Sequence, residues 1–167
     1  IRDHETAEIA IQAALTGHLV FSTLHTNDAA GAVSRLLDMG VEDYLLASSL
    51  LGVLAQRLVR QLCGKCAREA GSESGGRVAG HEVPGKELEA VGCADCAGTG
   101  YKGRTGVYEL LSVDEDVRNL IISRAPADRI RTTAIEGGMR SLREDGWAKV
   151  SEGVTTTSEV LRVSQEE

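Results

Sequence analysis

The sequence predicts an α/β fold. Residues 1–62 alternate helical and extended periodicity in the order helix, strand, helix, helix, strand, which is the texture of an α/β domain. The last third repeats the S/T-x-x-E capping signal, at Ser112/Glu115, Ser141/Glu144 and Thr156/Glu159, which marks a helical tail. Between them stand two CxxC pairs, Cys63/Cys66 and Cys93/Cys96, with a Gly- and Ser-rich excursion in the middle.

Each element has a local reason. In Glu5 to Leu15, Ala7, Ala10, Ile11, Ala14 and Leu15 recur at helical spacing, with Asp3 as N-cap and Gly17 as stop. His18 to Leu24 is short, apolar and partly β-branched, and reads as a buried strand of a parallel sheet. Thr26, Asn27 and Asp28 offer caps for a helix to Met39, closed by Gly40. A third helix covers Asp43 to Leu51. Gly52 breaks it, and Val53 to Leu62 reads as a strand, although Leu54, Leu58 and Leu62 also fit helical spacing. Gly71 to Gly85 reads as a flexible loop, and Thr105 to Leu111 as a returning strand. Pro126 suits the first position of a tail helix, and Gly137-Gly138 and Gly153 separate the tail helices.

The 167 residues are enough for one ordinary domain, burying roughly 70% of the unfolded surface. The net charge is −7, and each of residues 1–62, 63–100 and 101–167 carries more acidic than basic side chains. Aromatics are 3% of the chain. An acidic, aromatic-poor chain has neither the phosphate-backbone footprint nor the stacking platforms of a nucleic-acid binder. No secretory signal is visible, and the longest uncharged stretch, Tyr44 to Gln56, falls short of the roughly 20 residues of a membrane helix. The chain begins at Ile1 rather than at a methionine, as expected for a piece of a longer or processed protein.

Four cysteines without an export signal point to metal before disulfides. CxxC spacing lets two thiolates reach one ion from a single tight turn, and two such turns complete a tetrahedral S4 set suited to structural Zn2+. His81 lies in the excursion and reads as a solvated side chain. The other chemical feature is Thr16-Gly17-His18 through Leu24-His25-Thr26-Asn27. His25, at the carboxyl end of the expected strand and before a helix start, is placed either to meet a phosphate or to cap the turn.

These residues resemble a known family. Ile1-Arg2-Asp3-His4-Glu5-Thr6-Ala7 looks like the stretch after the Walker B acid of secretion ATPases, and Thr16 to Asn27 resembles their histidine box. Leu50 to Arg60 resembles the next signature of the family. The CxxC pairs with Gly98-Thr99-Gly100-Tyr101-Lys102-Gly103-Arg104-Thr105-Gly106 look like its zinc subdomain, and Met139 to Val163 is similar to its tail. The nearest likeness is to type II secretion ATPases, with type IV pilus assembly ATPases beside them.

The resemblance implies the C-terminal portion of a RecA-like P-loop ATPase domain, with an inserted tetracysteine zinc subdomain and a helical C-terminal extension. Residues 1–62 would be the core half with the histidine box, 63–100 the zinc subdomain, and 101–167 the returning strand and tail. It implies that His25 lies near the γ-phosphate, supported by His18, and that Cys63, Cys66, Cys93 and Cys96 hold Zn2+. It implies a homo-hexamer at the cytoplasmic face of the inner membrane, working with inner-membrane platform proteins to assemble a pseudopilus, without nucleic acid. Arg57 and Arg60 match the signature without an assigned contact.

Nothing in the sequence fits G-x4-G-K-S/T; Gly64-Lys65 and Gly85-Lys86 lack the leading glycine and the hydroxyl. The Walker B acid is expected just before Ile1. ATP and Mg2+ are therefore expected only with the full-length protein, and these 167 residues alone are expected to be inactive. The alternative from another class is a non-catalytic zinc module: Cys93 to Gly100 fits one copy of CxxCxGxG, the chaperone cysteine-rich repeat, but Cys63 to Ala70 lacks its glycines.

Overall fold

The structure, a computed structural model, describes residues 1–70, 77–78, 81–82 and 88–164. Most of the expected Gly/Ser loop, and the side chain of His81, lie outside the described residues. The chain divides into two compact units, each built from two separate stretches.

The first unit comprises residues 1–55 and 109–140. It holds helices α1 (His4–Leu15), α2 (Ala29–Asp38), α3 (Asp43–Ser49), α4 (Glu115–Ile122) and α5 (Ala127–Glu136). Asp3, with extended backbone, accepts the Thr6 amide at 2.8 Å and starts α1. At the other end Gly17 takes φ +94°, a conformation a side chain resists, and the amides of Gly17 and His18 bond back to the carbonyls of Ala14 and Ala13. In α2 the buried residues Ala29, Ala30, Val33, Leu36 and Leu37 form one apolar stripe. That stripe packs with Ala7, Ile11, Leu46, Leu111, Val117, Ile121 and Ile130 into a single core. Fully burying a side chain such as Ile121 is worth roughly 1.5–3 kcal/mol, so this cluster dominates the unit's stability.

The second unit comprises residues 56–108 and 141–167. It holds the short strands β2 (Arg68–Glu69), β3 (Arg77–Val78), β4 (His81–Glu82) and β5 (Leu88–Glu89), and helices α6 (Leu142–Ser151) and α7 (Thr157–Ser164). β2 pairs with β5 and β3 with β4, both antiparallel. Two long strands, β1 (Gly52–Leu62) and β6 (Tyr101–Ser112), pair with each other and run through both stretches of chain. The Val113 amide meets the Leu51 carbonyl at one end of this pair, and the Cys63 amide meets the Gly100 carbonyl at the other, so the two strands are antiparallel.

Most expected elements form within a residue or two of their anticipated bounds; β6 starts at Tyr101, ahead of the expected Thr105, and three further readings differ. His18 to Leu24 is not a buried parallel strand: no ladder partner lies beside it among the described residues, and Leu19 and Phe21 are 70% and 88% exposed. Its composition favours extension, but a strand also needs a paired neighbour to complete its ladder. The Ser112/Glu115 box does not form because Ser112 ends β6; Asp114 caps α4 by accepting the Val117 amide at 2.9 Å. Ser141 and Glu144 do form their box. Thr156 accepts the Glu159 amide, but the Glu159 carboxylate is taken elsewhere.

Glu159 is 1% exposed and is held by two arginines. Arg162 reaches it at 2.8 Å, and Arg60 bonds it through both its backbone amide at 2.9 Å and its guanidinium at 2.7 Å. Arg162 first, then Arg60, overcome burial and bring its acidity down from 4.5 to about 2. Because the folded-state value is depressed, the stabilisation is complete above pH 4.5 and is lost as pH falls from there toward 2. Glu159→Gln should therefore lower stability by on the order of 3 kcal/mol at pH 7, with the difference from wild type vanishing toward pH 2, as read by urea unfolding across that range.

Candidate functional site

The antiparallel β1–β6 pair sets the cysteine geometry. Cys63 follows β1 directly, and Gly100 precedes β6 directly, so their backbone bond at 2.9 Å brings the two CxxC turns face to face. In the first turn the amides of Cys66 and Ala67 return to the Cys63 carbonyl. In the second, a short 3-10 turn over Ala94–Cys96, the Cys93 amide donates to the Cys96 Sγ at 3.1 Å, and the Gly100 amide donates to the same sulfur at 3.2 Å. Gly100 takes φ +76°, and a Cβ there would stand 2.6 Å from the Ala90 Cβ, so both backbone shape and space require glycine.

The four sulfurs lie within 4.8 Å of one another. Three separations are 3.9 Å (Cys63–Cys93), 3.8 Å (Cys66–Cys96) and 3.8 Å (Cys93–Cys96). A tetrahedron of sulfurs at metal–sulfur bonds of about 2.3 Å has edges of about 3.8 Å, which these three separations match, so the four side chains could hold a metal ion. Burial pushes the Cys66 thiol up to about 12. Burial acts the same way on Cys96, but the amides of Cys93 and Gly100 outweigh it and bring that thiol down to about 6. Thiols this close cannot all ionise unless a cation joins them. Outside the cage, Asp95 holds Lys65 at 2.8 Å and Lys102 at 2.7 Å. Lys102 first, then Lys65, lower the Asp95 carboxyl. The two ammonium groups thus stand beside a centre that four thiolates and one divalent ion would leave at −2.

The histidines separate. The His18 ring bonds the Ala13 carbonyl at 3.3 Å and the Thr16 hydroxyl at 3.2 Å, so it caps the end of α1. His25 is exposed in the loop before α2 and lines a shallow pocket with Ile1, Arg2, Leu24 and Arg35. The pocket rim carries two arginines and a histidine and no carboxylate, a surface suited to an anion. The start of α2 contributes less than a free helix end: the Gly31 amide is taken by Asp28 at 2.6 Å and the Ala29 amide by the buried Glu109 at 3.0 Å. Asp28 is also paired with Arg131.

Sequence reasoning singled out His18, His25 and the four cysteines, but not Arg2, Arg35, Glu109 or Arg131. The partners of Glu109 and Arg131 lie 80 and 103 residues away, and no short motif marks them. Arg60, a signature match without a contact, acquires one on Glu159 and stacks 4.0 Å above the Tyr101 ring.

The family described as type II/IV secretion system protein matches residues 1–162. The chain is 53% identical over 166 residues to the type II secretion system protein HxcR of Pseudomonas aeruginosa, covering 99% of this chain and 32% of that protein. It is 50% identical over 169 residues to the type II secretion system ATPase E of Vibrio cholerae, covering 99% and 33%. It is 49% identical over 166 residues to the type IV pilus assembly ATPase PilB of Thermus thermophilus, covering 96% and 19%. The chain thus spans about a third or less of the length of these relatives. Among solved structures, the pilus retraction motor PilT with bound ADP superposes with a TM-score of 0.67 at 25% identity, over 99% of this chain and 38% of that one. No described helix is long and apolar enough to cross a membrane.

His18→Ala should lower stability by about 0.5–1 kcal/mol, because it removes bonds at the end of α1, whereas His25→Ala should leave it within about 0.5 kcal/mol. Chemical denaturation of the two variants checks this.

Proposed function

The chain belongs to the type II/IV secretion system protein family, and from that premise we propose that it is the C-terminal portion of the ATPase that powers type II protein secretion. The match over residues 1–162 carries the reading. In it, residues 1–62 are the histidine-box half of a RecA-like core, 63–100 a structural zinc subdomain, and 101–167 the returning strand and tail. The whole protein works as a homo-hexamer on the cytoplasmic face of the inner membrane, coupling ATP hydrolysis to pseudopilus assembly through platform proteins.

The pocket at His25 supports the assignment of a γ-phosphate contact there. Arg2 and Arg35 supply positive charge, and the imidazole can donate a hydrogen bond to a phosphate oxygen or to its attacking water. His18 acts at one remove, fixing the loop by closing α1. ATP and Mg2+ need a phosphate-cradling loop that these 167 residues do not carry. When bound, Zn2+ supplies no chemistry to the reaction: four protein thiolates leave no open position, so it acts as a clasp. The 49% identity to a pilus assembly ATPase favours pseudopilus-like pilus assembly as the second reading, with the same motor chemistry.

Two measurements test this. These residues alone should hydrolyse no ATP, and a longer chain carrying the phosphate loop should; in that chain His25→Ala should reduce kcat on the order of 10²-fold with the fold intact. Elemental analysis should find one zinc per chain, and Cys66→Ser or Cys93→Ser should abolish it and cost on the order of 3 kcal/mol or more. Hydrolysis by the 167 residues alone, or a chain free of zinc, overturns the corresponding half of the reading.

A further inference from the structure

Helix α7 has little of its own to hold it. Its fully buried apolar contact is Val160, set against Trp147 and Val150 of α6. One valine and its partly buried neighbour Leu161 are too little apolar area to offset the ordering of eight residues. The rest of its anchorage is polar: Arg143 of α6 holds the Ser164 carbonyl at 2.8 Å at its far end, and the bonds at and before its start converge on the two strand ends that carry the cysteine cage.

The bonds follow one another along the chain. The Leu62 amide donates to the Val154 carbonyl at 2.9 Å, and the Thr155 hydroxyl to the Arg60 carbonyl at 2.8 Å. Arg60 holds Glu159 and lies over Tyr101. The Tyr101 hydroxyl meets the Thr156 hydroxyl at 2.9 Å. Tyr101 follows Gly100, whose amide donates to the Cys96 sulfur and whose carbonyl accepts from the Cys63 amide. At Gly153, between α6 and α7, a Cβ would meet Leu88 of β5 at 2.9 Å, so the returning arm of the excursion also rests on this turn. Every anchoring residue of β1 and β6 lies within five positions of a cysteine of the cage.

We infer that the cysteine cage and helix α7 form one cooperative element, in which a bound metal keeps α7 docked and its removal releases α7. The inference rests on the zinc reading above. Without a cation nothing ties the two CxxC turns to each other, the Gly100 turn that leans on the Cys96 sulfur loosens with them, and Tyr101 and Arg60 lose the positions from which they hold residues 154–159. Coupling of this kind is reciprocal, so loosening α7 must weaken the metal by the same factor.

The test uses the zinc-loaded chain, with EDTA to remove the ion, amide hydrogen exchange across α7 and α2, and emission from Trp147, the one tryptophan. Chelation should lower α7 protection by about tenfold and shift Trp147 emission to the red, with α2 unchanged and both effects reversed by added zinc. Glu159→Gln should reduce zinc affinity about tenfold in competition with a chromophoric chelator, and Tyr101→Phe should do so more weakly while leaving the fold intact. Unchanged α7 exchange and Trp147 emission in a chain that has lost stoichiometric zinc overturn the inference and leave the zinc reading standing. Equal loss of protection in α2 and α7 also overturns it, and a chain that binds no zinc overturns both.

Discussion

The antiparallel pairing of β1 with β6 is the constraint on which the chemistry of this chain depends. The ladder fixes where the excursion leaves and where it returns, so residues 63 and 100 stand opposite each other. Two CxxC turns placed at that crossing bring three sulfur pairs to 3.8–3.9 Å, close to the edge of a tetrahedral ligand set. A glycine at position 100 is then obligatory, because the same point must accept a left-handed backbone, a neighbouring Ala90 and a sulfur-directed amide. Ligand set, turn geometry and glycine pattern are therefore one requirement expressed three times.

Buried carboxylates are the second organising theme in an acidic protein. Glu109 and Glu159 are both nearly inaccessible, and each is met by a backbone amide from a distant part of its own unit. Glu159 adds two guanidinium groups. Removing one partner of such a group leaves a desolvated charge, so these contacts fix register more firmly than their modest net stabilisation implies. Asp28 shows the same logic at a helix start, where it caps α2 and pairs with Arg131. Asp28 and Glu109 together take the Ala29 and Gly31 amides at the start of α2.

Much of this was legible in the sequence, because local rules govern it. Asp3, Asp28 and Ser141 cap helices where their side chains and spacing said they should, and Gly17 and Gly40 close them. The cysteine spacing announced the cage. The misreadings have one cause. His18 to Leu24 has strand composition, yet pairing is a property of two segments, and periodicity describes one. Ser112/Glu115 satisfied a capping pattern, but a strand claimed Ser112 first. The long-range contacts Asp28–Arg131, Ala29–Glu109 and Arg60–Glu159 leave no local trace, since their partners stand 103, 80 and 99 residues apart and no short motif spans such a distance.

The division of each compact unit into two separated stretches has a consequence for synthesis. The first unit needs residues 109–140 and the second needs residues 141 onward, so neither can close while the early half is all that exists. At a translation rate of about 5–20 residues per second, Asp28 waits several seconds or longer for Arg131 to leave the ribosome. During that interval the apolar faces of α1 to α3 lack the α4 and α5 side chains that share their core in the folded unit.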